Sequence, residues 1–303
     1  MTEINFSDFF KFSFSWLSKD FLKFIFIYWI IQIIFSLGIL LAISAFFSSL
    51  FSSATLFSFF SAKTLGPQIL SKIVEFIVLF TVWIFLFSLT LMVFQIVCFT
   101  HALKKSGLPV RPFSVKLVLR YLVLNILELL AVLFYSLDKK VLVLQWFSLF
   151  LIILSAFTQT TNPLMIVLMG VPLLFYFGIV CFNAVHWLCL SPVFLSTENA
   201  GIRSSFRKSW NLMNGKVFEA FAVFFILFII LIIVQAILSV IFSPVVDPLI
   251  QSIFSSLPKQ IIIDSNFSSV FASVVTFFST IFAVTFFYKH LLQSQSLQEP
   301  AKL

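Results

Sequence analysis

Long apolar runs broken by short polar connections dominate this chain from residue 21 onward. Runs near 21–43, 73–99, 117–137, 164–190, 217–242 and 267–288 each hold enough consecutive apolar residues for a helix to cross hydrocarbon, which takes about 20 residues at 1.5 Å each. A seventh run, 141–158, is uncharged but near the minimum length. Lipid offers no partner for an open backbone, so such runs must be helices. The expected fold is an all-α polytopic transmembrane helix bundle of about six spans in one integral membrane domain, 1–303. A short or re-entrant apolar helix and interfacial amphipathic helices would accompany the spans.

Residues 6–20, FSDFFKFSFSWLSKD, are too polar for a span. On a helix, Phe6, Phe9, Phe10, Ser13, Trp16 and Leu17 share one side, with Asp8, Lys11, Ser15 and Lys19 opposite. This predicts an interfacial helix with Trp16 at head-group depth, the alternative being a hydrophobic lead-in to the first span. The run from Phe24 to Leu41 exceeds the ~7–15 residues of a signal-peptide core and reads as a retained span.

Connections set the orientation. HALKKSGLPVRPFSVKLVLR carries Lys104, Lys105, Arg111, Lys116 and Arg120 with no acid, and 196–216 carries Arg203, Arg207, Lys208 and Lys216 against Glu198. Both therefore belong on the cytoplasmic side, and two spans before the first of them put the N-terminus there too. The Phe/Ser-rich stretch to Gly66-Pro67 and the loop with Asp247, Lys259 and Asp264 fall outside; Lys289 and His290 begin a cytoplasmic tail. Three runs lie between the basic loops, yet an odd number of crossings would separate them. Two complete crossings, with 141–158 short or re-entrant, resolve the conflict. In the run 117–137, Glu128 opposes insertion by about 2.5–3.5 kcal/mol, against roughly 0.3–0.6 returned by each Leu or Phe.

Composition agrees: 61% hydrophobic, 10% charged and mean hydropathy +1.15, against roughly 25% charged for a soluble domain. The 45 Phe, with abundant Ile and Ser, also fit an AT-rich coding sequence. A net charge of +8 would raise nucleic acid as a partner of a soluble chain, but here the cations sit between spans. Anionic lipid is the counter-charge this placement implies, with no nucleic acid. Cys98, Cys181 and Cys189 lie inside apolar runs, an odd number that argues against disulfides.

The strongest local pattern is 190–221. Ile202, Phe206, Trp210, Met213 and Val217 recur at helical spacing, and Arg203, Arg207 and Asn211 line the adjacent face with Lys208 nearby. Asn199 as N-cap and Gly215 as stop would bound a basic interfacial helix, 199–214. Arg203, Arg207, Lys208 and Trp210 are its expected lipid-facing residues; the plainer reading is that these charges only fix topology. Pro192, Glu198, Asn199, Gly201, Ser205, Phe206, Ser209, Trp210 and Gly215 together resemble the pattern of the glycerophosphodiesterase membrane domain and related multi-pass families, and Phe14-Ser15-Trp16 before a span is similar. The resemblance covers about 30 residues in its specific part. It implies a membrane-embedded helical domain and lends no activity, since the chain has no length left for a soluble phosphodiesterase.

Lys104-Lys105-Ser106-Gly107 and Arg207-Lys208-Ser209-Trp210 hint at a duplication, with chance similarity between basic loops as the alternative. Asn125 and Glu128, three apart inside a span, project from one face and mark either an ion path or a polar contact between helices. With the kink-capable Pro172, they carry a second reading as a small-solute or ion transporter or channel. His186 with Cys181 and Cys189, or Cys98 with His101, lacks metal-site spacing, and no catalytic constellation or phosphate-cradling loop is found. The expectation is a non-enzymatic protein without metal or cofactor.

Overall fold

The computed structural model describes residues 4–51, 67–157, 163–197, 201–253 and 268–298, and the described residues contain helices and no strand. In chain order the helices are α1 (Phe6–Ser13), α2 (Lys19–Phe51), α3 (Pro67–Lys105), α4 (Val115–Phe134), α5 (Lys139–Phe157), α6 (Pro163–Trp187), α7 (Leu190–Ser196), α8 (Ile202–Met213), α9 (Val217–Ile253) and α10 (Ser268–Gln298). The expected connections around 52–66 and 254–267, the cap Asn199, the acid Glu198 and the end of the tail lie outside the described residues.

Among the described residues six helical segments are long and apolar enough to cross a membrane: Phe21–Ile39, Ile73–Lys105, Val115–Phe134, Gly170–Ser196, Val217–Ile241 and Ser273–Ser296. They fall on the six runs read from the sequence. Their outward faces carry Ile, Leu, Val and Phe side chains that water would not tolerate, such as Leu79, Leu174 and Phe228. The chain is a multi-pass membrane protein.

The chain forms two compact units. One comprises Met1–Ser13, Ile96–Leu227 and Ile281–Leu303; the other comprises Phe14–Gln95 and Phe228–Thr280.

In the second unit the core is aromatic. Tyr28 stacks on Phe277 at 4.8 Å, its hydroxyl accepting from Gln32 Nε2 at 3.0 Å. Trp16 packs inside this unit. It is 3% exposed, its indole N–H donates to Ser279 Oγ at 3.0 Å, and its ring meets Phe278 at 5.5 Å. Farther along, the Trp83 indole crosses α2 at Gly38 and donates to Phe35 O at 3.2 Å. A Cβ on Gly38 would lie 2.2 Å from Trp83 Cζ2, so only glycine permits this approach.

In the first unit, α1 is shorter than the expected 6–20. It ends at Ser13 and buries Phe9, whose ring meets Phe286 at 5.7 Å and Phe224 at 6.1 Å, while Phe6 stays largely exposed. The core of the unit is α7. All seven of its residues are buried, and Pro192 stands in its first turn, where its missing N–H costs nothing. Pro192 therefore opens a helix, and the break before it falls at Leu188–Cys189.

The fate of the ambiguous run 141–158 follows from three contacts. Tyr121 of α4 donates to Ser191 Oγ of α7 at 2.9 Å, and Tyr176 of α6 donates to Leu133 O near the end of α4 at 2.8 Å, so α4 runs antiparallel to α6–α7. Helix α5 packs along α6 with only residues 158–162 between them in the chain, so it too is antiparallel to α6. Hence α4 and α5 advance in the same sense with a step at 135–138, and α6–α7 make the return. The predicted span 117–137 ends early, at Phe134, because Tyr135 turns extended (φ −138°, ψ 136°).

Candidate functional site

A helix ending at that step leaves carbonyls without intrahelical donors, which in lipid is costly. Side chains supply the donors. Gln145 Nε2 reaches Leu133 O at 2.5 Å and Val132 O at 3.3 Å, the Tyr176 hydroxyl takes Leu133 O, and Asn183 Nδ2 lies 3.4 Å from both Val132 O and Gln145 Oε1. Gln145 and Asn183 are buried. The sequence shows each as an isolated polar residue in an apolar run. That they meet at one helix end needed the fold.

The same face of α4 carries Tyr121, Asn125 and Glu128 at helical spacing. Tyr121 is fully buried. Glu128 is half-buried, and among the described residues no cation or hydrogen-bond donor pairs with it. Asn183 Oδ1 is also without a hydrogen-bond partner there. The stripe is a polar seam inside a candidate span.

The charged site lies at one end of the first unit. Helix α3 stops through a Schellman arrangement: Gly107 at φ 76° takes the left-handed conformation, Leu108 N–H returns to Leu103 O at 3.0 Å, and Gly107 N–H to Lys104 O at 3.0 Å. The chain then passes under α7. Arg111 N–H donates to Leu195 O at 3.0 Å, its Nε donates to Thr197 O at 2.6 Å, and a second guanidinium nitrogen binds the same carbonyl. Its guanidinium carbon sits 4.6 Å from the centre of the Phe194 ring. Burial and the nearby charge of Arg120 lower the Arg111 pKa from its ordinary value, yet a cation at the carbonyl end of α7 is well placed for the helix dipole. Arg111 reads in the sequence as one more loop cation; its role as a staple was not legible.

The two basic loops touch at Arg111–Leu195 and Arg111–Thr197.

Helix α8 extends the basic end. The helix is shorter than the expected 199–214, with Gly201 rather than Asn199 at its N-cap, and Asn214 (φ −60°, ψ 125°) with Gly215 (φ 76°) makes a type II turn closed by Lys216 N–H to Met213 O at 2.9 Å. The helix stop at Gly215 is where the sequence placed it. Ser205 and Ser209 are fully buried, and Ser209 donates to His186 O at 3.0 Å. These small side chains let α8 lie close against the end of α6. Trp210 turns to that side: its ring stacks on His186 at 3.9 Å and meets Trp187 at 5.1 Å, leaving it half-buried. Arg203, Arg207 and Lys208 are exposed, with no acid paired to them among the described residues. The structure thus separates Trp210, which docks the helix, from the three cations it presents.

Two open clefts accompany these charges. One, about 330 Å³, is lined by Arg111, Pro112, Ser114, Lys116, Leu117 and Arg120; the other, about 460 Å³, by Ser204, Arg207, Lys208, Asn211, Leu212 and Gln295. Neither lining includes an acid.

The remaining sequence candidates are committed to packing. His186 Nδ1 faces Phe182 O at 3.0 Å, and Cys189 Sγ lies 3.9 Å from Met213 Sδ. Among the described residues no three His, Cys, Asp or Glu side chains converge. Lys104–Lys105 close the last turn of α3, while Arg207–Lys208 stand within α8, so the two similar tetrapeptides occupy different local structures.

Compared with protein-family models, curated proteins and solved structures, the chain matches none.

Proposed function

We propose that this multi-pass protein resides in the cytoplasmic membrane with both termini inside, and that its basic end is a surface for anionic lipid head groups without enzymatic activity. The observation that carries this is the meeting of the two basic loops at Arg111–Thr197, which gathers Lys104, Lys105, Lys116, Arg120, Arg203, Arg207 and Lys208 at one end of a unit built from membrane spans. Each cation near an anionic leaflet contributes roughly 1 kcal/mol, about fivefold in affinity. The local likeness of 190–221 to glycerophosphodiesterase membrane domains supports the same architecture and adds no reaction.

The test uses the full chain in nanodiscs of mixed neutral and anionic lipid, with retained lipids counted by native mass spectrometry. Arg203→Gln with Arg207→Gln and Lys208→Gln is expected to reduce retained anionic lipid at least tenfold, and added salt should mimic the change. A variant that keeps the wild-type lipid complement at every salt concentration removes the proposal.

A second reading has its own support in the polar seam: an unpaired Glu128, an Asn183 oxygen without a donor, and a helix broken at 135–138. Ionisable groups at membrane depth and interrupted helices mark ion paths in transporters. On this reading wild-type proteoliposomes dissipate a pH gradient and Glu128→Gln slows that flux at least tenfold, the scale of removing a proton carrier. Wild-type vesicles as tight as protein-free ones end it.

A further inference from the structure

We propose that the cleft at the start of α4 is a receptor for a phosphomonoester, presented by a membrane lipid. The proposal rests on the head-group reading above and gives it a ligand class.

Three cations, Arg111, Lys116 and Arg120, converge on a cavity of about 330 Å³ that no acid lines. Like charges gathered without a counter-ion repel, and an anion between them removes the repulsion. Arg111 cannot swing away to relieve it, because its backbone N–H is held by Leu195 O and its side chain by Thr197 O and the Phe194 ring. Burial first, and then the charge of Arg120, lower the Arg111 pKa. Arg120 and Lys116 are exposed and, among the described residues, unpaired by any acid, so their charges remain available.

Polarity and depth narrow the ligand. Ser114 caps α4, its Oγ accepting from Leu117 N at 3.2 Å, so the positive end of the helix dipole opens on the same cavity. Guanidinium groups match phosphate oxygens in a planar fork, and three cations balance a dianionic phosphomonoester better than the single charge of a phosphodiester. The candidate span begins at Val115, which places the cleft where a bilayer holds its head groups. The second cleft, on α8, has two cations from one helix and no comparable fixed guanidinium.

The full chain in nanodiscs is offered charge-matched phosphatidic acid or phosphatidylglycerol in a phosphatidylcholine background, with inorganic phosphate as a soluble competitor. Wild type is expected to retain phosphatidic acid about tenfold over phosphatidylglycerol, the scale of one or two lost cation contacts. Lys116→Gln with Arg120→Gln should abolish that preference while still favouring anionic over neutral lipid. Arg207→Gln with Lys208→Gln should lower total anionic lipid and keep the preference. Equal retention of the two anionic lipids by wild type overturns the phosphomonoester site and leaves the basic surface standing. No preference for either over phosphatidylcholine overturns both. Saturable binding of inorganic phosphate without enrichment of phosphatidic acid overturns the lipid as its source.

Discussion

Gly38→Val is expected to destabilise the protein by about 3 kcal/mol, at the upper end of what overpacking costs, and to lower the detergent melting temperature accordingly. The cause is local. The Trp83 ring fills the space where a side chain on residue 38 would start, with Cζ2 2.2 Å from the ideal Cβ position, and its indole N–H is committed to Phe35 O. The ring can yield only by breaking that bond and leaving the Phe35 ring, 5.0 Å from it. The paired measurement is Trp83→Ala in both backgrounds. Removing the indole should make Gly38→Val nearly neutral, a coupling of the size contacting residues show in double-mutant cycles. Additive effects would mean that Gly38 and Trp83 do not share this contact.

Ser209→Leu should undock α8 while the spans stay folded. The hydroxyl is fully buried and satisfies His186 O in the last turn of α6, so leucine both overfills the contact and orphans a carbonyl, together about 2–4 kcal/mol. The readout is limited trypsin digestion at Arg203, Arg207 and Lys208, expected to quicken at least tenfold with the helical circular dichroism unchanged. Ser209→Ala loses only the hydrogen bond, about 1 kcal/mol, and should cleave nearly as slowly as wild type. Identical digestion of all three proteins would contradict the docking described here.

Hydropathy alone located the spans, because lipid imposes one simple requirement on every outward residue and helices need no long-range pairing to satisfy their backbones. The same reasoning carried the Gly215 stop, a local conformational demand. It did less well where a residue's role depends on a distant partner. Trp16 and Trp210 have the chemistry of interfacial anchors, yet each finds an aromatic pocket in the protein: Phe278 for one, His186 and Trp187 for the other. Ser205 and Ser209 read as ordinary polar helix residues, and only the proximity of α6 reveals why they are small. Gln145 and Asn183 were visible as anomalies in greasy runs, but not as the donors for another helix's carbonyls. The charge pattern singled out both basic loops, but not the contact that Arg111 makes between them.

The bond from Arg111 to Thr197 joins positions 86 apart, with α4, α5, α6 and α7 between them. A ribosome adding about 5–20 residues per second makes the second partner on the order of ten seconds after the first. Until then the guanidinium has no Thr197 carbonyl to hold it. When Thr197 arrives, the bond closes a ring that ties the start of α4 to the end of α7, so neither end of the intervening helices can shift without breaking it.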